Sequence, residues 1–177
     1  MTDAPIETST EGAADPTARS DSRTDSRTDS SPLEAIGRRG SESVDGRLYG
    51  LIVLSTVFGI GHHVDHVVRG NHVGWPLIPE ITPFTYTLAI YPFLAAGLYL
   101  TLTERAGAGY WAVLLGAIFA LVTVTHFGPW ATEPPGDVVG PYESALAGYA
   151  AFAWLLGLVG ALLVATCYSV LRWRRVA

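Results

Sequence analysis

Four of the five histidines in the chain fall within one stretch, Gly59 to Pro76, which reads GIGHHVDHVVRGNHVGWP. They are His62, His63, His66 and His72; the fifth, His126, lies far along the chain. Imidazole is the commonest neutral metal ligand and changes charge close to neutral pH. Spacing matters more here than number. His62 and His66 are four residues apart, so on a helix their rings stack one turn apart, as a metal ion requires of two ligands from a single helix. With about 3.6 residues per turn, Asp65 and Arg69 share that face and His63 sits at its edge.

The leading chemistry for such a set is a metal site. His62, His66 and His126 are the candidate ligands, with Asp65 or Glu143 as a fourth ligand or as the acceptor behind a ligand. Three histidines and an open position are the usual form of a catalytic zinc or non-haem iron centre. A carboxylate behind an imidazole fixes its tautomer. Asp65 is also the candidate catalytic group, as a general base beside a bound lipid. A second reading holds the iron of haem b between His126 and His62 or His66. A third is structural: Asp65, Arg69 and the histidines form a hydrogen-bonded cap near a membrane surface. A lone HxxxH is a weak signal. The chain has no HExxH, phosphate loop, dinucleotide fingerprint or serine nucleophile elbow. His63 and His72 are expected to face outward or to lie in a loop. Cys167 is alone, which excludes an internal disulfide and any cysteine-based metal motif, and it reads as a small packing residue.

The elements that must position these groups are apolar. Four segments, at about 48–68, 81–103, 110–127 and 145–171, approach the roughly 20 residues that a helix needs to cross a bilayer core. None has the broad charged face of a soluble amphipathic helix. The expected fold is therefore all-α, an integral membrane four-helix bundle partnered by the lipid bilayer. Tyr49, Tyr110, Trp111 and Trp173 are expected at one interface, and Trp75, Trp130 and Tyr142 at the other. Pro92 is expected to kink the second segment, because it lacks an N–H and crowds the Leu88 carbonyl. Small residues recur every four positions at Ala112, Gly116 and Ala120 and at Ala153, Gly157, Ala161 and Ala165. Such stripes let helices approach closely, within one chain or in a homo-oligomer.

The charges lie elsewhere. Residues 1–47 hold ten acids and six arginines, a net −4 out of −5 for the chain of 177 residues. Their Ser-, Thr-, Asp- and Pro-rich composition, with the near-repeat DSRTDSRTDS, predicts a disordered acidic tail. An acidic balance argues against nucleic acid as a partner. Outside the tail, Arg105 and the Arg172, Arg174 and Arg175 group flank the spans on the side of the termini. The positive-inside rule then places both termini in the cytoplasm, in a cell membrane, and the His-bearing ends outside. All five histidines share that level, as does Glu143, and the inner half has few polar groups, which disfavours a transport pathway. The expected function is a metal-dependent membrane enzyme or redox protein acting on a lipid-soluble substrate. The alternative is a non-enzymatic scaffold or small-solute carrier with a structural polar cap.

Overall fold

The computed structural model describes residues 44–70 and 83–176; the expected tail up to Ser43 and His72 lie outside the described residues. The chain begins in helix α1, Gly46–Val68. Asp45 is its N-cap: Oδ1 accepts from the Leu48 N–H at 3.0 Å, which satisfies an otherwise orphaned donor of the first turn. The helix thus starts inside the stretch assigned to the tail by composition. It stops at Gly70, whose φ of 63° lies in the left-handed region that glycine adopts without strain.

The remaining helices are α2, Pro83–Thr87; α3, Ile90–Leu102; α4, Ala108–Phe127; α5, Pro135–Val139; and α6, Ala145–Val176. No strand occurs among the described residues. Four spans are long and apolar enough to cross a membrane: Gly46–Val68, Thr85–Leu102, Ala108–Phe127 and Ala145–Arg175. The protein is therefore all-helical, with four candidate membrane-spanning helices. Its apolar side chains point outward as often as inward. Val53 and Val64 of α1, Val113 and Val124 of α4, and Leu163 and Val164 of α6 are all exposed. A water-soluble bundle would bury such residues, whereas lipid solvates them.

The second span is broken rather than merely bent. Residues 88–89 form a turn between α2 and α3. Pro92 has no N–H to offer the Leu88 carbonyl, which instead accepts from Tyr91 N at 3.2 Å. Ala89 N likewise reaches only the Tyr86 carbonyl, at 3.0 Å. The tighter three-residue turns re-aim the chain ahead of the proline.

Helix α6 is the hub. Helices α4 and α1 pack along it, α5 caps it, and α3 leans on α4. The small stripes are used where helices meet: Ala112, Ala161 and Ala165 are buried. A Cβ on Gly157 would stand 2.5 Å from the Phe58 ring, so this glycine lets α1 close on α6. The ends of the stripes, Ala120 and Ala153, are left exposed. The core proper joins Leu48 and Ile52 to Trp111, Leu115 and Ile118 and to Leu158, Leu162 and Ala165. It lies toward the end of the bundle that carries the termini.

Trp111, near the start of α4, is fully buried between helices, with its indole N–H donated to Thr101 Oγ1 at 2.9 Å. Gly97 makes this fit: any Cβ there would run into the rings of Tyr110 and Trp111. Cys167 is exposed on α6 rather than part of the core.

Candidate metal centre

The last two turns of α1 present His62, His63, His66 and, past its end, Arg69. His126 closes α4 at the same end of the bundle. The chain then folds back over that helix end. Glu133 N donates to the Thr125 carbonyl at 3.1 Å, and the Glu133 carbonyl lies 2.8 Å from His126 Nδ1. Two prolines follow: Pro134 disfavours helical backbone at Glu133, and Pro135 opens α5. A bend at residues 132–133 thereby sets Glu133 across the mouth of α4.

Three imidazoles converge. His62 Nε2 and His66 Nε2 are 3.1 Å apart. One nitrogen each from His62, His66 and His126 lies within 4.8 Å of the other two. The rings of His62 and His126 are 5.1 Å apart between centroids, and those of His66 and His126 are 6.2 Å apart. Metal–nitrogen bonds of about 2.0–2.1 Å at tetrahedral angles set ligand nitrogens roughly 3.3–3.4 Å apart. The first pair is already at that spacing, and the third ligand needs a shift of about an ångström. A carbonyl oxygen can only accept, so His126 Nδ1 carries the proton toward Glu133 O. Its Nε2 lone pair is left to face the cluster, the usual tautomer of a ligand oriented by a backbone carbonyl.

The carboxylate at the centre is that of Glu133. Its Oε2 is 3.4 Å from His66 Nε2 and 3.8 Å from His126 Nε2. Glu143, the sequence candidate for this place, is exposed just ahead of α6 and lines no part of the cluster. Asp65 is also displaced from its expected role. One of its oxygens is engaged by Arg69 Nε at 2.8 Å and the other by the Tyr142 hydroxyl. With both oxygens held, Asp65 reaches the histidines only through Arg69. It anchors the site through Arg69 and Tyr142 and does not line the cavity.

Arg69 joins the two carboxylates. Its Nη1 contacts Glu133 Oε1 at 2.5 Å and the Asp137 carbonyl at 3.0 Å. Its Nη2 lies 2.8 Å from Asp65 Oδ2 without the alignment of a hydrogen bond. The side chain is wholly buried. Burial disfavours its charge, yet Glu133 and Asp65 outweigh that and lift the guanidinium above its ordinary value. Burial, then the hydrogen bond to Asp65, pushes the Tyr142 phenol up to about 12. The loop after α4 and the start of α5 are thus tied to the end of α1 by one charged network.

Helical periodicity brought out His62 and His66, and the parallel running of two spans brought out His126, but the sequence reading passed over Glu133 and gave His63 no role. Glu133 stands in a loop, where no helical spacing marks it; the Glu-Pro-Pro string was the only local signal. His63 was expected to face outward. Instead its Nε2 is 2.9 Å from Thr87 Oγ1, and Tyr91 Oη is 2.8 Å from its Nδ1.

From the cluster a cavity of about 870 Å³ runs inward between α1, α3 and α4, with Leu158 and Leu162 of α6 as its floor. Its walls are apolar below the histidine level, and Ser55 and Thr56 mark the deep end. Comparison with known proteins finds no family profile, no curated protein and no solved structure that matches this chain.

Proposed function

We propose that this membrane protein carries a single metal ion held by His62, His66 and His126, with Glu133 as fourth ligand or as the carboxylate beside the ion, and acts as a metal-dependent enzyme or redox protein on a lipid-soluble substrate. The observation that carries this reading is the convergence of three imidazole nitrogens within 4.8 Å of one another at the head of an apolar cavity. Three nitrogens and one carboxylate oxygen suit zinc or iron. The ion would polarise a substrate oxygen or bound water, and this chain's own residues do the rest. Arg69 holds Glu133, Glu133 orients His126, and the cavity admits the substrate while excluding bulk water.

A single ion is favoured over haem b. Glu133 Oε2 lies against both His66 and His126, in the gap that a porphyrin plane would need. The structural cap remains the competing account, and the Arg69, Asp65 and Tyr142 network is the observation in its favour. The arginine distribution supports a cytoplasmic location for both termini and an outward-facing centre.

Elemental analysis and an absorption spectrum of the detergent-purified protein decide between the two. About one ion per chain is expected, with His66→Ala and His126→Ala each losing it while the helices stay folded. A wild-type protein free of metal, or either variant with full metal content, would leave the cap as the account of the cluster.

A further inference from the structure

His63 is not needed as a ligand, yet both its ring nitrogens are engaged, Nδ1 also lying 2.9 Å from the Gly59 carbonyl. Its ring meets Thr87 Oγ1 and Tyr91 Oη, each from a different part of the broken second span. Helices α2 and α3 can both turn a hydroxyl toward it because Pro92 interrupts them. The His63 ring centroid lies 6.1 Å from that of His62 and 6.5 Å from that of His66. The trio offers two hydroxyls and an imidazole, and neither a carboxylate nor a guanidinium. It therefore suits an uncharged head that accepts or donates hydrogen bonds.

The body of the cavity sets the rest of the molecule. Eleven residues of α1 separate Ser55 at its deep end from His66 at its head, roughly 16 Å at 1.5 Å per residue. The volume of about 870 Å³ is toward the upper end of the range of roughly 300–1,000 Å³ for small-molecule sites. Among the described residues, Tyr86, Leu121 and Val124 both line the cavity and stand exposed, so its rim opens sideways, at the level of the hydrocarbon. We infer that the cavity takes a long-chain lipid alcohol or ketone from the bilayer, its hydroxyl or carbonyl held by the Thr87 and Tyr91 hydroxyls, which His63 orients, beside the histidine cluster, and its hydrocarbon body lying over Ile118, Leu158 and Leu162. This deepens the proposed metal-dependent function and rests on it for the chemistry, though not for the binding.

The test is photolabelling of the full chain in lipid nanodiscs with a diazirine-bearing long-chain alcohol, with adducts mapped by mass spectrometry and metal content measured on the same samples. Adducts are expected at Ile118 and Leu158. Gly59→Leu should abolish them, since Gly59 lines the cavity, a Cβ there meets nothing within 4 Å, and the added side chain would fill the space. Its metal content should equal that of the wild type. Thr87→Val, which loses a hydrogen bond, and His63→Ala, which loses the ring that orients both hydroxyls, do not fill the cavity and should each weaken labelling roughly three- to tenfold. Adducts confined to outward-facing residues such as Val113 and Leu163 would overturn the inference whatever the metal content. So would an alkane probe of the same length that labels the cavity as strongly as the alcohol. Cavity labelling that depends on the head group in a protein without metal would uphold the inference and sink the metal reading alone.

Discussion

The two ends of the bundle solve opposite problems with the same four spans. At the end near the termini the helices close on one another. Leu48, Ala108 and Trp111 have no exposed surface, and the buried Trp111 indole is matched by Thr101. Asp45 clips the start of α1 to α6 through the Tyr168 hydroxyl at 2.7 Å, with Arg172 at 3.9 Å. At the far end α1 and α4 are held apart, a cavity opens between them, and four histidines and Glu133 line it. In lipid the hydrophobic effect does not drive helices together, so contact quality decides where a bundle closes. The near end has the interlocking surfaces. The far end is held by a charged network and by a loop folded back over it.

If this division is right, the near end governs stability and the far end governs ligand content. Trp111→Ala should then cost most, about 3–5 kcal/mol, through loss of packing and of the Thr101 bond, and should leave any bound metal in the fraction that stays folded. His126→Ala should do the reverse, removing metal while moving the metal-free midpoint little. Thermal unfolding in detergent, followed by circular dichroism beside elemental analysis, reads both. Equal losses of stability in the two variants would erase the distinction between the ends.

The far end has one member whose loss should be felt in stability. Arg69→Ala leaves Glu133 buried without its cation, and breaking one side of a buried pair costs about 3 kcal/mol or more. Adding Glu133→Gln should recover a good part of that loss. No recovery would mean that Arg69 acts through Asp65 and Tyr142 instead. In either case the double variant separates the charge pair from the loop contacts.

The smallest effects are in pH, and the two ends should respond at opposite extremes. The Tyr168 hydroxyl, then the Leu48 N–H, holds the Asp45 carboxyl below its ordinary value. A depressed acid stabilises the fold above its unfolded pKa, near 3.9, and the contribution is lost as pH falls through the folded value. The advantage of wild type over Asp45→Asn should therefore shrink only in acid. Tyr142 is raised to about 12. A raised group contributes fully below its unfolded pKa, near 10, and the contribution is lost as pH rises toward 12. The advantage over Tyr142→Phe should shrink only in that alkaline window. Midpoints measured across pH for the two pairs check both signs.

Much of this was legible in the residues. Apolar length determined the four spans, because crossing a hydrocarbon core is a local demand on consecutive residues. The four-residue spacing determined that His62 and His66 share a face, since helical periodicity is equally local. Parallel running of the first and third spans set His126 at their level. Pro92 marked the place where the second span fails. Tertiary structure alone decided the rest. Glu133 reaches the cluster because the loop after α4 doubles back to bond Thr125 and His126, and no periodicity encodes such a fold. Asp65 leaves it because Tyr142, far along the chain, competes for its carboxylate. Glu143 stays exposed because α6 begins beyond the turn. His63 faces inward because the broken span brings Thr87 and Tyr91 to it. A single helix fixes which residues share a face; only the packing of several fixes what that face meets.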